Sequence, residues 1–283
     1  MTRIGLFLLI LSFAGAAHAT KRDACQLDLF SGPPREAPPK VPEKFTRISD
    51  LTVMQKKLWE LRAEGKRDAY DFLKNKLQNQ LALTRRNDFA AHLGRHKLYK
   101  ATDVSFALLR DKQWGHPELV AYELNEELGG PLRIPVTVSQ IDGVMQLWFG
   151  YRPEDRVYTD AEAQDLSQKI DDDADLYLFT YLTANVDMRP QNIVMDRDFG
   201  AVVFDFGNGF YLQPDIDVEK MRDMMAKTKF DWRKALNRMD EQKIVDLAAS
   251  RLAKARARAL QERICVLRTL FNGGENFFTC AIP

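Results

Sequence analysis

Cysteine is scarce in this chain: Cys25, Cys265 and Cys280 are the only three. Three thiols cannot build a disulfide-stapled mini-scaffold, and no Cys-x-x-Cys pair offers the spacing of a zinc site. Histidine is scarce too, at four residues. His92 and His96 stand one helical turn apart, but no third ligand follows and Gly94 falls between them. An excess of either charge is also missing: 41 Lys and Arg against 40 Asp and Glu leave a formal charge of +1. That balance argues against a dedicated nucleic-acid binder, which usually carries a marked basic excess. Beyond the N-terminal stretch no apolar run is long enough to span a bilayer. What is present is a chain of 283 residues, 45% hydrophobic and 29% charged. That lies outside the disordered regime and suffices for one large domain or two lobes.

Residues 1–19 carry the layout of a cleaved signal peptide. Arg3 gives a positive start, Ile4 to Phe13 an apolar core, and Ala17-His18-Ala19 a small-x-small cleavage site. The apolar run is shorter than the ~20 residues a spanning helix needs, so cleavage is preferred to a retained anchor. The expectation is an exported protein (periplasmic, secreted or lumenal) starting near Thr20, without a membrane span once mature. Export permits disulfides. Cys265 and Cys280 flank Asn272-Gly273-Gly274 and would close a small loop, while Cys25 is an equal candidate for Cys280. Three is odd, so one thiol is left over or pairs between chains.

Composition divides the rest. Residues 20–45, with Pro33-Pro34, Pro38-Pro39 and Pro42, read as a flexible lead-in. Residues 46–94 read as a helical extension, because Leu51, Met54, Leu58, Leu61, Phe72, Leu77 and Leu81 recur at threes and fours, with Gly65 separating two helices. Residues 95–150 read as a small β-rich lobe. Leu98–Lys100, Val104–Leu109, Ile134–Val138 and Val144–Phe149 are its strands, and Pro117–Leu128 its helix. Residues 151–283 read as a mainly helical lobe with a β patch near Ile193–Phe204 and basic amphipathic helices over 241–271. The fold class is α+β, two-lobed.

Chemistry concentrates between Asn185 and Phe210. Asp187, Asn192 five residues later, and Asp205 thirteen after that stand around a predicted hairpin. Ile193–Met195 goes out, Asp196–Gly200 turns, and Ala201–Phe204 returns. A hairpin brings its two ends side by side, so Asn192 and Asp205 would share one magnesium or manganese ion through amide and carboxylate oxygens. Asp187-x-x-x-x-Asn192 has the spacing of a kinase catalytic loop, in which the Asp faces the acceptor hydroxyl and the Asn holds metal. Asp198-Phe199-Gly200 repeats the Asp-Phe-Gly of Asp205–Gly207. It falls at the hairpin tip, ~13 Å from the metal end, and is assigned to the turn. Asp171-Asp172-Asp173 reads as the cap of a helix starting near Ala174.

On these residues, Asp175–Phe210 resembles the catalytic core of atypical protein-kinase-like folds: secretory-pathway kinases of the Golgi casein kinase type, HipA-type kinases and phosphatidylinositol 3-/4-kinases. The block His116 to Val138 resembles them too, as a helix beginning with Glu followed by a strand reached through Pro135. The resemblance implies a two-lobed kinase-like fold using ATP with Mg2+ or Mn2+. It implies Glu118 as the small-lobe helix carboxylate that acts on the nucleotide-binding Lys or on a metal. Where the family carries a strand-end Lys this chain has Arg110, with Lys112 and Lys100 as alternatives. Gln146–Gly150 would be the last small-lobe strand and hinge, with Leu147 and Trp148 against adenine or simply in the core. No Gly-x-Gly precedes these strands. The acceptor would be a protein Ser/Thr hydroxyl first, a sugar or lipid headgroup second. Three rivals remain: a nucleotide-binding pseudokinase, an AMP transferase using the same pocket, and an exported structural protein. Because ATP is scarce outside the cytoplasm, export implies delivery to another cell or to a lumen.

Overall fold

The computed structural model describes residues 48–83, 106–140, 143–148, 164, 168–169, 171–188, 192–196, 200–212, 217–274 and 280. All of them belong to one compact unit that begins at Val41. The architecture is mixed α+β, mostly helical with a small antiparallel sheet. Among the described residues no helix is long and apolar enough to cross a membrane.

The helical periodicity yields α1 (Ile48–Ala63) and α2 (Arg67–Leu83). They are separated at Gly65, whose φ of 68° only glycine adopts without strain. Strand β1 (Phe106–Asp111) follows, and α3 (Lys112–Leu128) starts at the next residue. The sequence placed the start of this helix at Pro117; the helix begins five residues earlier. Proline removes one N–H, and so near the N-terminus it forfeits a single intrahelical bond. Strand β2 (Thr137–Gln140) and β3 (Gly143–Trp148) complete a sheet of order β1-β3-β2. Phe106 pairs with Trp148, Arg110 with Val144, and Thr137 with Gln146. The expected strand at Leu98–Lys100 lies outside the described residues.

Helix α3 is buried along most of its length, from Pro117 and Glu118 through Leu119–Tyr122 to Leu124, Asn125 and Leu128. It packs on the sheet, on α1 and α2, and on helices from the C-terminal half. At its exit the turn Gly129-Gly130, both with positive φ, is tied back by Asn125, whose side chain exchanges two hydrogen bonds with the Leu132 backbone. A Cβ on Gly130 would collide with the Arg62 guanidinium.

Helix α4 (Ala174–Thr183) begins where the acidic run ends: Asp173 Oδ1 accepts from Leu176 N at 2.9 Å. Next comes the ribbon β4 (Ile193–Asp196) and β5 (Gly200–Val203), then α5 (Val218–Lys227), α6 (Trp232–Arg238), α7 (Glu241–Arg251) and α8 (Lys254–Phe271). Three of these helices take Asp217, Asp231 and Asp240 as N-caps. Trp232, fully buried, donates Nε1 to Asp175 at 2.8 Å and ties α6 to α4. Of the two pairings, Cys265–Cys280 is formed, with Cα atoms 5.6 Å apart. Cys25 lies outside the described residues.

Candidate functional site

The ribbon fixes the geometry of the site. Its register runs from Asp196 opposite Gly200 to Ile193 opposite Val203. One step beyond, Phe204 N donates to Asn192 O at 3.1 Å. Asn192 and the Phe204-Asp205 step are therefore neighbours at the open end of the ribbon. Asp198 lies outside the described residues.

Asp187 joins them. Asn192 Nδ2 donates to Asp187 O at 2.7 Å, so the loop between these residues is closed on itself. The Asn192 side chain is 4% exposed. With its nitrogen spent on that carbonyl, its Oδ1 is the atom left to meet a cation. Asn185 supplies two further ties: its Oδ1 accepts from Asp187 N at 3.2 Å, and its Nδ2 donates to Asp205 O at 3.2 Å. Asn208 Nδ2 donates to Asp187 Oδ2 at 3.0 Å. The Asp187 carboxylate, three side-chain amides and the backbone carbonyls of Asp187 and Asp205 thus form one hydrogen-bonded knot.

The backbone around this knot is strained. Among the described residues the non-glycine positions with positive φ are Ala184 (43°), Asp205 (66°) and Phe210 (63°). Asp205 belongs to the knot, and Ala184 and Phe210 bracket it. Left-handed backbone costs an L-residue of this kind about 1–2 kcal/mol, and it persists only where the surroundings enforce it. Here they do. Ala184 ends α4, and its N–H and that of Asn185 return to Tyr181 O and Thr180 O. Phe206 is fully buried, edge-on to Phe179 with centroids 5.6 Å apart. Phe210 is fully buried and donates its N–H to Thr183 O. The glycines are required by close approach: a Cβ on Gly209 would lie 2.9 Å from Phe206 O, and one on Gly207 would lie 3.2 Å from Trp114 Cε3.

Trp114 stands in the first turn of α3, so the start of that helix abuts the Asp205–Gly207 turn. Glu118, one helical turn further on, is fully buried and accepts from Gln146 Nε2 at 3.3 Å; Gln146 also donates to Thr137 Oγ1 at 3.0 Å. Opposed residues of adjacent strands share a sheet face, and the face alternates along each strand. Arg110 therefore belongs to the same face as Leu108, the partner of Gln146. Lys112 is exposed at the first position of α3. Leu147 is fully buried and belongs to the face opposite Gln146. Trp148 closes β3. Lys100 lies outside the described residues. The structure thus joins Asp187 to Asn192 directly and links Asp205 to them through Asn185 and Phe204, brings the start of α3 to the Asp205–Gly207 turn, and leaves Leu147 in the core.

Below the knot lies a residue the sequence reading missed. Arg263 of α8 is 4% exposed, donates Nε to Leu182 O at 2.8 Å and Nη1 to Tyr211 O at 3.0 Å. It bolts the last turn of α4, which leads into Asn185, to the chain leaving Phe210. Burial pushes its guanidinium down to about 10, still a cation at neutral pH. Asn208 and Gln146 were also missed as partners of Asp187 and Glu118. The flanking Gly207 and Gly209 were the available signal for Asn208, since a polar residue between two glycines sits where backbone packs closely.

Among the described residues no group of three His, Cys, Asp or Glu side chains gathers as a self-contained metal cage. Asn192 and Asp205 offer two hard oxygen donors instead. That is a partial set of the kind magnesium sites complete with phosphate oxygens and water. Comparison with models of known families gives no match, and no curated protein matches the chain in sequence.

Proposed function

We propose that this chain is an exported, ATP-dependent phosphotransferase of atypical kinase-like fold, working with Mg2+ or Mn2+ on a hydroxyl acceptor. The observation that carries the reading is the knot: Asp187, Asn192 and the Asp205 backbone are tied together at one end of a ribbon, in strained backbone held by the surrounding hydrogen bonds. The order β1, helix with buried Glu118, strand reached through Pro135, then catalytic loop and ribbon follows the order that the resemblance implies, and supports a two-lobed plan.

Each residue has a task. Asp187, oriented through Asn208 and Asn185, faces the acceptor hydroxyl and takes its hydrogen bond, aligning the oxygen for in-line attack. Asn192 Oδ1 and the Asp205 carboxylate would hold the divalent ion. A bound ion of this kind supplies charge neutralisation on the transferring phosphates. Glu118 and Arg110 organise the nucleotide from the sheet side, with Arg110 offering a permanently charged fork to phosphate oxygens. Hydroxyl oxygen bonds to the γ-phosphorus, the bond to the ADP oxygen breaks, and the acceptor proton passes to the Asp187 carboxylate, which returns it to solvent.

The test is label transfer by mature protein from γ-labelled and α-labelled ATP, with Mg2+ or Mn2+ and with chelator. Metal-dependent transfer of γ-label to the protein or to a Ser/Thr-containing acceptor is expected. Transfer of α-label would instead make the site an AMP transferase, and nucleotide binding without transfer a pseudokinase. Absence of binding and transfer with either metal would contradict the reading.

A further inference from the structure

We infer that the hairpin α1–α2 is a positioning element for Glu118, acting on α3 through a buried ion cluster centred on Glu126; this rests on the phosphotransferase reading. Glu126 is the meeting point of three donors. Arg62 of α1 pairs with its Oε1, Tyr70 of α2 donates its hydroxyl to Oε2 at 2.5 Å, and Lys74 of α2 stands 2.9 Å from Oε2. Arg62 also bonds the Tyr70 hydroxyl and covers its ring at 4.6 Å, and Lys74 lies 5.7 Å from the centre of the Tyr122 ring. Burial pushes the Glu126 carboxyl upward, but Arg62, Lys74 and the Tyr70 hydroxyl overcome it and hold the group below the usual carboxylate range.

Such a cluster costs desolvation, and a well-packed apolar patch would join three helices with less penalty. What it adds is a fixed register. Three donors from two helices converge on one carboxylate, so α3 cannot slide or rotate without breaking a charged contact. Two more bonds hold the sheet to the same hairpin: Gln55 Oε1 accepts from Val136 N at 2.8 Å, and Gln140 Nε2 donates to Leu81 O at 2.9 Å. Glu126 lies eight residues from Glu118, about 12 Å along the helix and roughly 80° around it. One face of α3 is therefore locked to the hairpin while the neighbouring face presents Glu118 to Gln146. Arg62, Tyr70, Lys74 and Glu126 are positioning residues; none touches the knot.

The test compares wild type with Glu126→Gln and Tyr70→Phe, the second removing only one hydroxyl. It reads Mn–ATP affinity by titration, KM for ATP and for acceptor, and thermal midpoint. For both variants the midpoint falls, and at a temperature where each is fully folded the Kd and KM for Mn–ATP rise, by about tenfold for Glu126→Gln, as small misplacements do. KM for the acceptor stays within twofold of wild type. A lowered midpoint with unchanged Mn–ATP affinity in the folded variants would overturn the positioning role. If Glu126→Gln does not fold, Tyr70→Phe decides by the same criterion. Wild type that binds no nucleotide would overturn the phosphotransferase reading and this inference together.

Discussion

Asp205→Asn lowers metal-dependent ATP turnover by about a thousandfold, the scale on which loss of a charge-stabilising group acts, while Asp198→Ala stays within twofold of wild type. Both aspartates head an Asp-Phe-Gly tripeptide, so composition does not separate them. Position does. Asp205 follows the residue that bonds Asn192 O, at the open end of the ribbon, with its own carbonyl held by Asn185. Its φ of 66° makes asparagine the cleaner substitution, since Asn tolerates left-handed backbone better than Ala does. Asp205→Ala adds a backbone penalty to the lost carboxylate and should lose stability as well. Steady-state turnover with a parallel thermal midpoint separates the two effects. Loss of turnover in Asp198→Ala with retention in Asp205→Asn would move the metal to the other tripeptide.

Arg263→Ala destabilises the protein by about 3 kcal/mol. It strands two backbone carbonyls, Leu182 O and Tyr211 O, each worth roughly 1–3 kcal/mol when buried without a donor. For a unit of this size that lowers the thermal midpoint by about 10 °C. An opposing effect exists, because a guanidinium with one nitrogen, Nη2, buried and unbonded is itself costly. Arg263→Met, which keeps much of the volume and removes the charge, should therefore lose only about half as much. Both variants should lose more turnover than their folded fraction explains, since the bolt joins the segment before Asn185 to the segment after Phe210. Turnover that simply tracks the folded fraction would reduce Arg263 to a packing role.

Much of the local architecture was legible because it follows short-range rules. Leu51–Leu81 periodicity gave two helices, Gly65 their break, Asp173 a cap, and the apolar runs Ile193–Met195 and Ala201–Phe204 on either side of a turn a two-stranded ribbon. The adjacency of Asn192 and Asp205 followed from the ribbon alone. The start of α3 was not legible, because Pro117 within the first turns removes only one bond and so does not mark where the helix begins. The cluster on Glu126 and the Arg263 bolt were not legible. Their partners stand 56, 64 and 81 residues apart in sequence, and nothing in a single sequence couples them. Leu147 illustrates the same limit: burial on the face opposite Gln146 depends on pairing with β1, which residue type does not disclose.

A crystal structure of the protein soaked with Mn2+ and a non-hydrolysable ATP analogue tests the central claim directly. The account predicts anomalous density within about 2.2 Å of both Asn192 Oδ1 and an Asp205 carboxylate oxygen, bridging to phosphate oxygens, as hard-cation coordination requires. Manganese and nucleotide bound away from the open end of the ribbon, with Asn192 and Asp205 contacting neither, would contradict it.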